Sequence, residues 1–191
     1  MKIQLPRILV TTSRNPTQTM RTFCNDLAGS IPNSIRINRG KSSLDRVAEK
    51  ALEQGAEKVI IADRWKGGLG KIQLLEIGET GLVHFYPLIY VKNLKLRREF
   101  GSKQSQAIKS LVLQIKTNVP PEVYKLADVF SQFFSIPKLS IDEQSAANIQ
   151  AVMHISTNPA NRIQIEFLQL PQRIEIGPRI TISHLVWRSQ K

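Results

Sequence analysis

The sequence predicts a mixed α/β fold with two lobes, each a mixed sheet with helices. Residues 7–62 alternate strand, helix, strand, helix, strand, and this order favours parallel strands joined by helical crossovers. Residues 71–91 are typical of an antiparallel hairpin, and strand-like segments return near the end of the chain. The 191 residues, 41% of them hydrophobic, are enough for an ordinary packed core.

The first strand and helix meet at a run of polar residues. Residues 7–12 are predicted as a strand that ends in hydroxyl side chains. Asn15 is the predicted cap of the first helix, with Pro16 at its first position and Gly29 after its end. Unpaired N–H groups and the helix dipole make such a junction suitable for an anion.

A second helix and two more strands complete the parallel unit. Residues 34–38 form the second predicted strand, and residues 58–62 form the third, which we expect to be central. Ser42 or Ser43 caps the helix between them, and Gly55 ends it.

The pattern then changes to a hairpin of residues 71–77 and 82–91. The second of these strands is apolar on both faces, so we expect it to be largely buried, with a bulge or an unpaired N–H at Pro87. The preceding glycine-rich stretch, residues 67–71, lacks the spacing and the following helix of a nucleotide loop. It favours a hairpin loop with glycines at positive φ. Residues 92–103 are the predicted connection between the lobes.

The second lobe is less regular. Residues 108–115 are predicted as a strand, and Pro120-Pro121 opens a helix with apolar residues at helical spacing up to Phe134. Residues 140–143 match a capping box for a short helix. The last three predicted strands are residues 149–156, 162–169 and 173–186, the last bent at Pro178.

No catalytic, metal or cofactor site emerges from these residues. The three histidines lie in predicted strands without metal-type spacing, and Cys24, the only cysteine, falls on an apolar helix face. Asp63 could act as a general base, but a local pair with Arg64 explains it better. We therefore expect a protein that is not an enzyme and needs no cofactor.

The charge points to a polyanion as partner. Lys and Arg number 27 against 15 Asp and Glu, a net charge of +12 with a pI near 10.1. Nucleic acid is the commonest partner of so basic a protein, although excess charge can also serve solubility alone. The apolar runs are too short for a membrane span, and no signal sequence opens the chain, so we expect an intracellular protein.

Basic residues follow all three parallel strands. Because the carboxyl ends of parallel strands share one edge, these residues should form a basic rim that holds RNA phosphates. Trp65 would stack on bases there, or would instead pack as an anchor under the glycine-rich stretch. Arg97 and Arg98 in the connection and Lys71 add to the same half. The RNA-binding residues predicted from this half are Ser13, Arg14, Arg39, Lys41, Arg64, Trp65, Lys66, Lys71, Arg97 and Arg98.

Three segments also resemble a known family. Residues 10–16 (Val-Thr-Thr-Ser-Arg-Asn-Pro), 37–41 (Ile-Asn-Arg-Gly-Lys) and 175–179 (Glu-Ile-Gly-Pro-Arg) are similar to motifs of the Brix-domain ribosome-biogenesis proteins. The resemblance spans about residues 5–188 and is strongest to the branch associated with the small nucleolar particle of small-subunit rRNA processing. The charged extensions of eukaryotic members are missing, as in a compact archaeal member.

The resemblance implies a fold and a function. Residues 1–191 would form a single Brix domain with lobes at about 5–100 and 104–188, each similar to the anticodon-binding domain of aminoacyl-tRNA synthetases. The protein would bind precursor rRNA without catalysis, in the cytoplasm of an archaeon or the nucleolus of a eukaryote. Small guide RNA particles and ribosomal proteins are further implied partners. Arg179 would contact RNA or fix the lobe interface.

Two other functions remain open at this point. A protein-interaction module in a pre-ribosomal particle could use the same basic surfaces to meet acidic partners. A nucleotide-dependent enzyme is the third alternative.

Overall fold

The computed structural model describes residues 6–65, 68–101, 107–139 and 149–188, and the side chain of Trp65 lies outside that description. The helices are α1 (Gln18–Ser30), α2 (Leu44–Glu53) and α3 (Pro121–Phe134), with a 3-10 turn at Arg97–Phe100. The described strands are β1 (Ile8–Thr12), β2 (Ser34–Arg36), β3 (Lys58–Trp65), β4 (Gly68–Gly78), β5 (Gly81–Lys95), β6 (Leu111–Ile115), β7 (Lys138–Leu139), β8 (Ala151–Thr157), β9 (Ile163–Gln169), β10 (Ile174–Glu175) and β11 (Arg179–Val186).

One continuous mixed sheet holds the described strands in the order β2-β1-β3-β4-β5-β11-β9-β8-β6-β7, with β10 beside β9. Counted inward from its two ends, the sheet has equivalent strands in the same order: β2 corresponds to β7, β1 to β6, β3 to β8, β4 to β9 and β5 to β11. In the first half β1 pairs in parallel with β2 and β3, and β4 and β5 follow antiparallel. In the second half β6 pairs in parallel with β7 and β8, and β9 and β11 follow antiparallel. The two halves therefore repeat one topology and meet at the β5–β11 pair.

The repeat extends to the packing. Helices α1 and α3 cover one face of the sheet and share a single core, whose largest fully buried side chains include Phe23 and Phe133. On the other face, Leu9, Val59 and Leu75 lie side by side under α2. Their equivalents in the second half are Val112, Val152 and Leu168, which pair in the same register and form a cluster of their own. The mixed α/β architecture expected from the sequence is confirmed, with both halves built around one core.

The start of α1 differs from the prediction. Thr17, not Asn15, is the N-cap, and its Oγ1 accepts a hydrogen bond from the backbone N–H of Met20 at 3.3 Å. Asn15 has a φ of 54°, a left-handed conformation that asparagine tolerates. The helix also runs through Gly29 to Ser30. The chain therefore turns for two residues after Asn15 before the helix begins. The cap at Ser43 and the end of α2 before Gly55, which has a φ of 65°, are confirmed.

The hairpin strands are longer than predicted. β3 continues to Trp65 and β4 begins at Gly68, so Gly68 and Gly70 lie in a strand and not in a loop with positive φ. β5 extends to Lys95, which places the first four residues of the predicted connection, 92–95, inside the sheet. Its expected burial was wrong, because Val83 is 52% exposed and most other side chains of the strand are half-buried or exposed. The pairing of β4 with β5 does shift register next to Pro87.

The second half follows the predicted order of elements. β6, α3, β8 and β9 lie where the sequence placed them, and the last predicted strand divides into β10 and β11 at Gly177-Pro178, as expected of a bend. The capping box predicted at residues 140–143 lies outside the described residues.

Candidate nucleic-acid interface

The carboxyl ends of β1 and β3 are joined by direct hydrogen bonds. The backbone N–H of Ser13 donates to the carbonyl of Ala62 at 2.8 Å, and the N–H of Arg64 donates to Ser13 Oγ at 3.2 Å. Ser13 is half-buried, whereas Arg64 is exposed. Ser13 therefore fixes the backbone of Arg64 and directs that residue to the edge of the sheet. Thr11 and Thr12 before it are both buried.

Arg39 occupies the same edge from the loop after β2. Arg39 as a whole residue is only 9% exposed, and its Nε donates to the carbonyl of Ser42 at 3.1 Å. Burial lowers the pKa of Arg39 and the positive charge of nearby Arg14 lowers it further, while the carboxylate of Asp63 acts in the opposite direction. Charged residues at the ends of β1 and β3 therefore act on Arg39, which follows β2. Arg39 is buried, whereas the basic side chains of Arg14 and Lys41 are exposed.

The carboxylate of Asp63, which acts on Arg39, already has an ion-pair partner and hydrogen-bond donors of its own. Its Oδ2 lies 2.9 Å from Lys71 Nζ and accepts from Gln73 Nε2 at 3.0 Å. Its Oδ1 accepts from the backbone N–H of Arg64 at 2.8 Å. The ion-pair partner of Asp63 is therefore Lys71 rather than the Arg64 side chain. The positive charge of Lys71 is balanced by this carboxylate.

Arg97 and Arg98 lie apart from the strand ends. Arg97 Nη2 lies 3.5 Å from Oδ1 of Asp26, in the second half of α1, and the backbone N–H of Arg97 donates to Asp26 Oδ2 at 2.9 Å. Arg98 is exposed on the 3-10 turn. The side chain of Trp65 and all of Lys66 lie outside the described residues.

Arg179 stands in a network of ion pairs. It pairs with Glu175, its Nε lies 3.2 Å from Glu166 Oε1, and its guanidinium carbon lies 4.9 Å from the centre of the Phe100 ring. The Glu175 partner raises the pKa of Arg179. A hydrogen bond with His154, and the charge of Arg179, lower the pKa of Glu166 against the effect of burial. Phe100 belongs to the first half, so this geometry favours the interface role for Arg179.

Two further arginines near the rim were missed by sequence reasoning. Arg21 on α1 and Arg36 on β2 line a cavity together with Arg39. One signal was available, since Gln18, Arg21 and Asn25 follow helical spacing and form a polar stripe on α1. The contribution of Arg36 depends on the packing of β2 beside β1, which no local pattern reveals.

The one cysteine, Cys24, lies buried in the core. Burial raises the pKa of the Cys24 thiol to about 12, as expected of core packing. Within the described residues no cluster of three or more His, Cys, Asp or Glu could hold a metal ion. Among the helices of the described ranges, none is both long and apolar enough to span a membrane.

Comparison with known proteins extends over nearly the whole chain. A protein of Thermococcus kodakarensis is 31% identical over 192 residues, which cover 94% of this chain and 90% of the relative. One of Pyrococcus horikoshii is 29% identical over 195 residues, which cover 94% of this chain and 84% of the relative. Both are named probable Brix domain-containing ribosomal biogenesis proteins. No family model matches the chain.

Solved structures agree on the fold. The crystal structure of a probable ribosomal biogenesis protein from Aeropyrum pernix matches with a TM-score of 0.77 at 24% identity, over 97% of this chain and 98% of that one. Mil, an archaeal Imp4-like protein, matches with a TM-score of 0.63 at 20% identity, over 93% and 97%. Because the identity to the Thermococcus relative extends along almost all of both chains, the protein belongs to the Brix domain-containing ribosomal biogenesis proteins, the family that its three motifs predicted.

Proposed function

We propose that this protein is a ribosome assembly factor that binds rRNA or its precursor, without catalysis, through the edge where β1, β2 and β3 end. The observation that carries the proposal is the convergence of Arg14, Arg39 and Arg64 on that edge, where the facing carboxylate, Asp63, is already paired with Lys71. The names of the relatives support ribosome assembly as the setting.

Phosphate contact explains the arrangement. Exposed guanidinium and ammonium groups bind phosphate oxygens, and arginine does so with two parallel hydrogen bonds. The contacts we propose are the side chains of Arg14, Lys41 and Arg64, together with Trp65 and Lys66, which follow Arg64 in sequence. Arg39 lies beneath them and adds its charge from below. Arg97 and Lys71 pair with carboxylates, so we assign them no direct contact.

Partners and compartment follow from the same proposal. Precursor rRNA is the primary partner, and small guide RNA particles and ribosomal proteins are further ones within the assembling subunit. A cytoplasmic location is part of the proposal, and the archaeal origin of the relatives supports it. The alternative function, a module that meets acidic proteins, would use the same bases but would give a complex that survives nuclease treatment.

The test compares salt dependence in two charge-matched variants. Each phosphate contact should contribute a slope of about −0.7 to −0.9 in log K against log salt. The triple variant R14A/K41A/R64A should therefore bind fragments of small-subunit precursor rRNA more weakly and with a flatter slope in fluorescence anisotropy. The control K92A/K109A/K116A removes three exposed lysines elsewhere. Equal losses in both variants would refute this edge as the site, and crosslinking with RNA sequencing in cells would then locate the bound surface.

A further inference from the structure

A cavity of about 410 Å³ opens between the first turns of α1 and strand β2, beside the proposed contacts but inset from them. Three arginine residues line it: Arg21 from α1, Arg36 from β2 and Arg39 from the following loop. Gln18, Asn25 and Asn38 add amide groups, and its described lining includes no Asp or Glu. The cavity is thus walled by hydrogen-bond donors with net positive charge.

Arg36, one of the residues that line the cavity, has an unsatisfied hydrogen-bond donor. Its Nε atom is buried and, within the described parts of the chain, has no hydrogen-bond partner. A buried N–H group of a guanidinium without an acceptor is costly, and native structures rarely leave one unless a ligand, ion or water completes it. Arg36 is held in place by β2, where it pairs with Val10 of β1. The strand therefore holds, beside the cavity, an arginine whose buried Nε donor lacks an acceptor.

The electrostatic surroundings select an anion. The charge of Arg14 acts on Arg39 from the outer surface, so the positive charges repel one another without a ligand. The opposing carboxylate that Arg39 senses, Asp63, is engaged by Lys71 and Gln73. The first turn of α1 contains no acidic residue, which leaves the positive end of its dipole uncompensated.

We propose that this cavity binds a phosphate group, held by Arg21, Arg36 and Arg39 below the level of the exposed Arg14, Lys41 and Arg64. Arginine is suited to this role because its planar fork matches two phosphate oxygens at once. The source of the phosphate is either the backbone of bound RNA or a free phosphate ion. Only the first source rests on the proposed RNA-binding function.

The experiment follows the Nε–H resonances of arginine in ¹⁵N–¹H correlation spectra of the full chain. The Arg36 signal is identified by its loss in R36K. Inorganic phosphate and a short single-stranded RNA with hydroxyl ends are titrated separately. We expect a saturable shift of the Arg36 signal and about a tenfold weaker affinity in R21A, the effect of losing one charge-assisted hydrogen bond. R7A is the matched control, since Arg7 is exposed at the opposite end of β1.

The two titrations separate the sources. Saturation by RNA at lower concentration than by phosphate would assign the cavity to the RNA backbone. Saturation by phosphate alone, with no RNA binding by anisotropy, would support the cavity and refute the proposed RNA-binding function. Shifts that stay linear in both titrations, or that are equal in wild type, R21A and R7A, would overturn the phosphate site. Because Arg21 is exposed on α1, R21A should remain folded, and a thermal melt checks this.

Discussion

Ser30 at the end of α1 and Gly177 before β11 lie in direct contact. Ser30 also lies close to Ile176, which is 146 positions further along the chain. Ser30 Oγ donates to the carbonyl of Asp26 at 2.7 Å and lies 3.5 Å from the carbonyl of Ile176. A Cβ at Gly177 would overlap Ser30 Oγ and approach Phe167 Cβ at 2.8 Å. Glycine is therefore required here for close approach of the backbone, which brings the first helix of one half against the closing strand of the other.

We expect G177A to destabilise the protein by about 1–3 kcal/mol, because a methyl group must be forced into a packed contact. Since both halves share a core, unfolding should remain one cooperative transition shifted to lower urea. Circular dichroism and tryptophan fluorescence would measure it. G68A is the control, because nothing lies within 4 Å of a Cβ there. Equal midpoints for the two variants would contradict the contact.

Lys58 makes a second link between the halves. Its Nζ donates to the carbonyls of Phe133 at 2.7 Å and Gln132 at 3.2 Å, at the end of α3, and lies 3.7 Å from Glu76 Oε1. K58M replaces the lysine with a side chain of similar length but leaves these two carbonyls without their charged donor. We expect a loss of about 1.5–3 kcal/mol. Urea denaturation would test this, with the exposed K92M as control. If K58M and K92M unfolded alike, Lys58 would have no linking role.

The cap of α1 gives a local prediction. Removing the Thr17 hydroxyl in T17A leaves the N–H of Met20 without its acceptor, so we expect a loss of about 1 kcal/mol. T19A removes a hydroxyl from the exposed first turn and should be neutral. Thermal melts of the two variants provide the measurement. The same loss in both would mean that the hydroxyl of Thr17 does not cap the helix.

Local patterns predicted the elements of this fold well, and the reason is visible at α2. Ser43, the apolar spacing after it and Gly55 act within a few residues of one another, so the sequence reports them directly. At α1 the predicted cap, Asn15, was wrong, because the chain makes a left-handed turn at Asn15 and the helix is capped two residues later by Thr17.

Two similar lobes were predicted, but local patterns did not reveal which residues of the two halves are equivalent. Leu9, Val59 and Leu75 are replaced in the second half by Val112, Val152 and Leu168, an exchange among apolar residues that conserves burial but not identity. The site divides along the same line. Arg14 follows β1 and Arg64 lies near the end of β3, positions that a sequence can reveal. The cavity around Arg36 and the contact of Arg179 with Phe100 instead bring together segments that are distant in sequence.

The Glu166 network makes stability depend on pH. A hydrogen bond with His154, with help from Arg179, lowers the pKa of Glu166 below its ordinary value. A carboxyl group whose pKa is lower in the folded state stabilises the fold above its unfolded pKa, and this contribution disappears as the pH falls through the folded pKa. Wild type should therefore exceed E166Q in stability at pH 6, and the difference should shrink below about pH 4. Denaturation at several pH values tests this, with the exposed Glu79 in E79Q as control. A difference that does not change with pH would contradict the network.

Removal of the negative charge of Asp63 should strengthen RNA binding, whereas removal of the positive charges of the edge should weaken it. In D63N the amide oxygen can still accept from the N–H of Arg64, but the negative charge beside Arg39 is lost and Lys71 loses its ion-pair partner at 2.9 Å. RNA phosphates would then meet one more uncompensated cation. We expect rRNA to bind about three- to tenfold more tightly at low salt, the effect of one added charge contact of about 1 kcal/mol. The slope with salt should also steepen, because one more counterion is released. D45N removes the same charge from exposed α2 and should leave binding unchanged. Weaker binding by a folded D63N would mean that the carboxylate positions the site rather than opposing the RNA.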